Sequence, residues 1–195
     1  SEIIEILPHV VNVDEVHKKI KLDTLRLIHS GNLAFPRDPG SFLNGLKRFV
    51  TNCPAARIEF NILGRVDSSV NNVIKDLQLD NIVRVLSPVE YNKSLEILND
   101  YDVAVIIEAN CKEGIFLPTK VSDFMQSNIP IMAISPKEGT LNDLFKTNSI
   151  PYFAEVSDAE MIEKALSLVY HDYENDVIKN NVIPKEYEEK YICDR

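Results

Sequence analysis

Apolar residues along this chain keep two alternating rhythms. Short continuous runs are followed by longer stretches in which apolar positions recur every three or four residues. The first rhythm fits a strand covered on both faces, and the second a helix with one buried side. LRLIHSG, Leu25 to Gly31, reads as a strand that stops at a glycine. Ser41 to Val50 follows as a helix, with Phe42, Leu43, Leu46, Phe49 and Val50 on one side. Arg57 to Gly64 is a second strand ending in glycine, and Val70 to Leu79 a second helix buried through Val70, Val73, Ile74 and Leu77. Ile82 to Val89 reads as the third strand and Tyr91 to Tyr101 as the third helix. Asp102 to Asn110, with apolar residues in unbroken succession, reads as the most deeply buried strand. A loop and a helix over TKVSDFMQS come next, then a strand from Ile129 to Ser135, a helix from Leu141 to Asn148 and a short sixth strand within Ile150 to Ser157. Asp158 to Tyr173 closes the series as a long amphipathic helix, with Ser157 expected as its cap and Glu160 at the third position.

Strands and helices in strict alternation imply right-handed crossovers and an α/β fold: a Rossmann-like, doubly wound parallel sheet of about six strands with helices on both faces. Ligands of such sheets bind beyond the carboxyl ends of the strands. Here those ends are Gly31, Gly64, Ser87 to Val89, Glu108 to Gly114 and Ser135 to Gly139. The expected organisation is an incoming linker or extra strand over 1–23, a Rossmann-like α/β domain over 24–173 and a helical tail over 174–195.

Composition narrows the function classes. With 195 residues and 45% hydrophobic content, the chain suits one domain with its own core. A formal net charge of −9 argues against a nucleic-acid binder driven by bulk electrostatics, while leaving room for a local phosphate pocket. Cys53, Cys111 and Cys193 are widely spaced and odd in number, which fits a reducing compartment without a disulfide or metal framework. His9, His17, His29 and His171 are scattered and form no metal-ligand spacing, and His29 reads most simply as a satisfied core or rim histidine. The opening SEIIEILPHV lacks a basic start and a sustained apolar core, and no apolar run nears the roughly 20 residues that span a bilayer. A cytoplasmic protein is expected, in contact at most with the inner face of a membrane.

Candidate chemistry gathers at two strand ends. In HSGNLAFPRDPGSF, a glycine after the first strand permits close backbone approach, and Arg37 lies just ahead of a helix, a fair arrangement for phosphate or simply a turn with a solvated arginine. There is no GxGxxG fingerprint and no acid placed as a ribose clamp, so a dinucleotide dehydrogenase is not expected. In KEGIFLPTKVSDFM, Lys120 opens a helix and Asp123 follows three residues later on the same face. A cation beside a carboxylate can hold a phosphate and a ribose hydroxyl, or they can form a plain helical ion pair. Glu113 and Gly114 add an acid and backbone N–H groups.

Taken together, these stretches resemble the C-terminal, donor-binding domain of GT-B glycosyltransferases, the retaining group 1 type that uses nucleotide-sugars. EILPHVVN is similar to the segment entering that domain, IHSGNLAFPRDPGSFLNGLKRF to its first strand, glycine loop and helix, and FNILGRV to its second strand. VRVLSPVEYNKSLEILNDYDVAVII and EGIFLPTKVSDFMQSNIPIMAIS resemble its later strand and its acid–loop–helix signature. The resemblance implies that Gly31, Asn32 and Arg37 border the donor diphosphate. Asn32 stands where the family has an arginine and Arg37 where it has a lysine. Lys120, in the order Pro118, Thr119, Lys120, supplies a second charge, as in family members with Pro-Ser/Thr-Lys in this loop. Counting back from Pro130, the family's ribose acid falls on Asp123, while its first acid falls on Ile115, so Glu113 fits only with a two-residue shift and Glu108 is its rival. Pro88, Val89 and Tyr91 sit where the family holds the base, with Gly64 and Arg65 at the neighbouring strand end, Arg65 facing either phosphate or solvent.

The resemblance further implies a glycosyltransferase of hexosyl type in polysaccharide or lipid-linked synthesis. It implies no cofactor beyond the nucleotide-diphosphate sugar donor, no metal and no nucleic acid. The expected partner is an N-terminal acceptor-binding domain that this chain lacks, without which no turnover is expected and through which any peripheral membrane contact runs. Two other readings remain: a module of the same fold without catalysis, suggested by Asn32 and the altered acid spacing, and a sugar-nucleotide epimerase of GT-B architecture, which usually carries more histidine and acid in its cleft.

Overall fold

The computed structural model describes residues 21–179. Of the expected entry segment and tail, only 21–23 and 174–179 fall within these residues; His9, His17, Cys193 and the helix expected around PKEYEEKY lie outside them. Six strands alternate with six helices: β1 Leu25–Ser30, α1 Gly40–Asn52, β2 Ile58–Leu63, α2 Ser68–Asp76, β3 Val83–Leu86, α3 Tyr91–Leu98, β4 Val103–Ile107, α4 Lys120–Gln126, β5 Ile131–Ser135, α5 Thr140–Thr147, β6 Phe153–Glu155 and α6 Ala159–Glu174. The strands form one sheet in the order β3-β2-β1-β4-β5-β6, every pair parallel. This is the doubly wound α/β architecture that the alternation of runs implies.

Strand alternation sends side chains to two cores. Leu25 and Leu27 of β1 join Val103 and Val105 of β4 in a core with α1, α2 and α6, whereas Ile28, Ala104 and Ile106 face the other way, into a core closed by α4 and α5. β4 and β5 are buried at every position, which is why their apolar runs are unbroken. On the first face α1 and α6 lie against each other so closely that a Cβ on Gly45 would stand 2.4 Å from Ile162 Cγ2.

Several boundaries differ from the sequence expectation, for local reasons. The sixth strand is confined to Phe153–Glu155 at the sheet edge, where Pro151, lacking an N–H, precedes the ladder with β5. The cap of α6 is Asp158 rather than Ser157: Asp158 Oδ1 accepts from the backbone N–H groups of Glu160 and Met161, each at 2.9 Å, while Ser157 Oγ lies 3.4 Å from Glu155. An ionised carboxylate is the stronger acceptor for two amides at once.

Strand order fixes where a ligand can bind. β1 is flanked by β2 on one side and β4 on the other, so the connections leave its carboxyl end in opposite directions and open a crevice there. The β1–β4 ladder is short, pairing only Leu27 with Val103 and Ile28 with Ala104. The crevice lies beyond it, at the carboxyl ends of the two strands.

Candidate functional site

The crevice is built on two glycines. Gly31, which ends β1, has φ 133°, a conformation that side-chain-bearing residues rarely adopt, and Gly64, which ends β2, packs on it so tightly that a Cβ on Gly64 would lie 2.3 Å from the Gly31 carbonyl oxygen. Asn32 then reaches across, its Oδ1 accepting from the Arg65 backbone N–H at 2.9 Å. Asn32 thus ties the β1 and β2 loops together, and Arg65 is exposed.

Lys120 enters this floor from α4. Val121, Phe124 and Met125 are buried in the second core and fix how that helix is rotated, which leaves Lys120, its first residue, half-buried at the crevice. The side chain passes over Gly31: a Cβ there would sit 2.9 Å from Nζ. The ammonium ends 3.2 Å from Nε2 of His29, a fully buried histidine whose Nδ1 is 2.9 Å from the Val105 carbonyl oxygen. Burial holds the Lys120 ammonium down at about 8, helped by the positive charge of Arg37 and opposed by Glu108 and Asp123. Burial, with the Lys120 charge beside it, pushes His29 well below the usual histidine range, so the ring is neutral.

Arg37, Lys120 and Asp123 therefore converge at one rim, with Glu108 among them. Arg37 Nε lies 3.3 Å from Glu108 Oε1; the guanidinium is half-exposed and the carboxylate largely covered, so the cation stays open to an anion from the solvent side. Asp123 Oδ1 accepts from the Tyr91 hydroxyl at 2.7 Å, and this hydrogen bond is the main reason the phenol is pushed up to about 12. The two cations make a receptacle for a doubly charged anion, and Asp123 with Tyr91 offers hydrogen bonds to a neighbouring hydroxyl or ring.

Other expected residues lie around this centre. Pro88 and Val89 form the exposed loop between β3 and α3, next to Tyr91. Thr119 is the exposed N-cap residue of α4 and makes no capping bond through its side chain. Gly114 pairs with Gly139, its N–H donating to Glu138 and its carbonyl accepting from Thr140, which pins the β4–α4 loop to the β5–α5 loop. Glu113 is exposed on that loop; the acids acting on Lys120 are Glu108 and Asp123. A separate depression of about 300 Å3 opens between the same loops, bordered by Cys111, Lys112, Lys137, Glu138 and Glu155. Among the described residues, no group of three histidines, cysteines or acids could hold a metal ion. From the sequence His29 reads as a core or rim histidine at the end of the first strand; its place beside Lys120 depends on β1 and β4 being neighbours.

No protein-family model matches the sequence, and no curated protein is significantly similar to it. Solved structures are similar in fold. The C-terminal domain of the glycosyl transferase group 1 family protein LpcC from Francisella tularensis superposes with a TM-score of 0.61 at 13% identity, over 88% of this chain and 85% of that domain. The pneumococcal O-GlcNAc transferase GtfA, solved in complex with UDP and GlcNAc, gives a TM-score of 0.62 at 16% identity over 87% of this chain and 32% of its own. A glycosyltransferase from Rickettsia africae gives 0.64 at 11% identity over 87% and 42%. The chain spans about a third to two fifths of the length of these last two proteins. By sheet order, helix layers and superposition, this chain has the fold of the C-terminal domain of GT-B glycosyltransferases.

Proposed function

We propose that this chain is the nucleotide-sugar-binding half of a glycosyltransferase. The observation that carries the reading is the convergence of Arg37 and Lys120 on the crevice beyond β1 and β4, with Asp123 and Tyr91 beside them. The diphosphate rests between the two cations, over the Gly31 backbone. The ribose hydroxyls meet Asp123, and the base lies along Pro88, Val89 and Tyr91. Charge that builds on the departing diphosphate during glycosyl transfer is then stabilised by groups already in place. That logic uses side-chain cations and needs no metal or further cofactor.

In this reading the sugar is a hexose and the acceptor a growing polysaccharide or a lipid-linked intermediate. The acceptor is held by a second, N-terminal domain, in keeping with the share of the similar enzymes that this chain spans. Phe35 and Phe116, 92% and 78% exposed, stand on the two loops that border the crevice and suit contact with such a domain. Alone, the chain binds donor and turns over nothing. The setting is cytoplasmic, with any membrane contact made through the other half; among the described residues no helix is long and apolar enough to cross a membrane.

A second reading, a non-catalytic module of the same fold, is favoured by one feature: Asn32 holds a loop where the family places an arginine on the diphosphate. Calorimetric titration with uridine and guanosine diphosphates separates the two. The donor-site reading expects binding that weakens at least tenfold, about 1.4 kcal/mol, in Arg37→Ala and in Lys120→Ala. No binding of either nucleotide by the parent chain, or binding indifferent to both substitutions, would leave the module.

A further inference from the structure

A lysine ammonium held over a sheet end needs something to hold it, and the partner here is unusual in being neutral. Val105 offers only a carbonyl oxygen, so the His29 nitrogen 2.9 Å from it must carry the proton. Nδ1–H therefore donates to Val105, and the lone pair is left on Nε2, where it faces the Lys120 ammonium at 3.2 Å. The ring is fixed at both ends. It sits one residue past the last β1–β4 ladder pair and is fully buried.

We propose that His29 is the positioning residue of the site: as the Nδ1–H tautomer it accepts a hydrogen bond from Lys120 and aims that ammonium across Gly31 at the anion. The proposal rests on the reading of the crevice as an anion site. An acidic partner in this place would hold Lys120 as firmly, yet would neutralise the charge the anion needs. A neutral acceptor occupies one of the three ammonium N–H groups without adding a further negative charge to those of Glu108 and Asp123, and leaves the other two N–H groups to the ligand. Four further groups face the pair: Arg37 from the β1–α1 loop, Glu108 from the end of β4, Asp123 from α4 and the Gly31 backbone, which a side chain would push into the ammonium. Protonation of His29 would put two cations 3.2 Å apart and reverse the arrangement.

The test uses the 195-residue chain and inorganic pyrophosphate as the probe. Nitrogen-15 correlation spectra of the His29 ring at neutral pH are expected to show the Nδ1–H tautomer. His29→Leu should lower the pH at which the Lys120 side chain titrates and weaken pyrophosphate at least tenfold. His29→Gln, which keeps an amide oxygen for Lys120, should restore most of both. In a Lys120→Met background His29→Leu should cost nothing more, since a positioning residue has nothing left to position. An Nε2–H tautomer, wild-type affinity in His29→Leu, or the same loss in both backgrounds would overturn the proposal. Should His29→Leu fail to fold, the tautomer in the parent chain and the Gln variant still decide it. Pyrophosphate failing to bind the parent chain would refute the anion site, whereas the tautomer and the Lys120 titration would continue to judge the His29 contact.

Discussion

Lys120 is charged where charge is costly, and this has a sign that can be checked. Its ammonium titrates at about 8 in the folded chain, below the ordinary lysine value of 10.5. Between those two pH values the unfolded chain binds a proton that the folded chain has released, so stability rises with pH, by at most about 1.4 kcal/mol per unit for one proton. Urea midpoints measured from pH 7.5 to 10 should therefore climb in the parent relative to Lys120→Met; parallel curves would contradict the burial of the ammonium. His29 works in the acid direction. Its folded value is depressed, so the unfolded chain takes up a proton first as pH falls below about 6.5, and the fold loses stability from there downward. A His29→Gln variant should lack that acid slope. Of these residues, Arg37, Lys120 and Asp123 were legible from type and spacing: cations and an acid next to glycine loops at strand ends. His29 was legible only as a core or rim histidine at a strand end, and Glu108 only as a rival of Glu113. Their roles arise where β1 meets β4, and those strands are separated by more than 70 residues of sequence, with two strands between them.

At the level of the elements, close packing outweighs propensity. Gly45 lies within α1, where alanine normally gains up to about 1 kcal/mol over glycine. Here the added Cβ meets Ile162 Cγ2 at 2.4 Å and the Ala159 carbonyl oxygen at 3.0 Å, and overpacking of that kind typically costs about 1–3 kcal/mol. Gly45→Ala is expected to destabilise on balance, and to cost less in an Ile162→Ala background than in the parent, a coupling read from denaturant midpoints of the four chains. The end of α6 gives a second check. Asp158→Ala should cost about 1 kcal/mol and Ser157→Ala close to nothing, as only Asp158 caps the helix through its side chain. Every strand and helix among the described residues was foreseeable from hydrophobic rhythm, because buried parallel strands and one-sided helices leave contrasting patterns. The ends were less so. Caps and ladder ends depend on single hydrogen bonds, such as the pair accepted by Asp158, and those leave no period in the sequence.

For the whole molecule, the fold class followed from the alternation of elements alone, while the location of the site needed strand order as well: the adjacency of β1 and β4 in the order 3-2-1-4-5-6 puts Gly31 and Glu108 on either side of one crevice. The reading of one half of a two-domain enzyme predicts that glycosyl transfer appears only when a second α/β domain is supplied, and that Phe35→Ser or Phe116→Ser weakens that pairing without altering diphosphate affinity. The central claim is that a nucleoside diphosphate lies over Gly31 between Arg37 and Lys120. Backbone amide shifts recorded while uridine or guanosine diphosphate is added test it most directly. The account predicts the largest changes at Gly31 to Arg37, Glu108 and Thr119 to Asp123; changes confined to the loops around Lys112 and Lys137, or none at all, would contradict it.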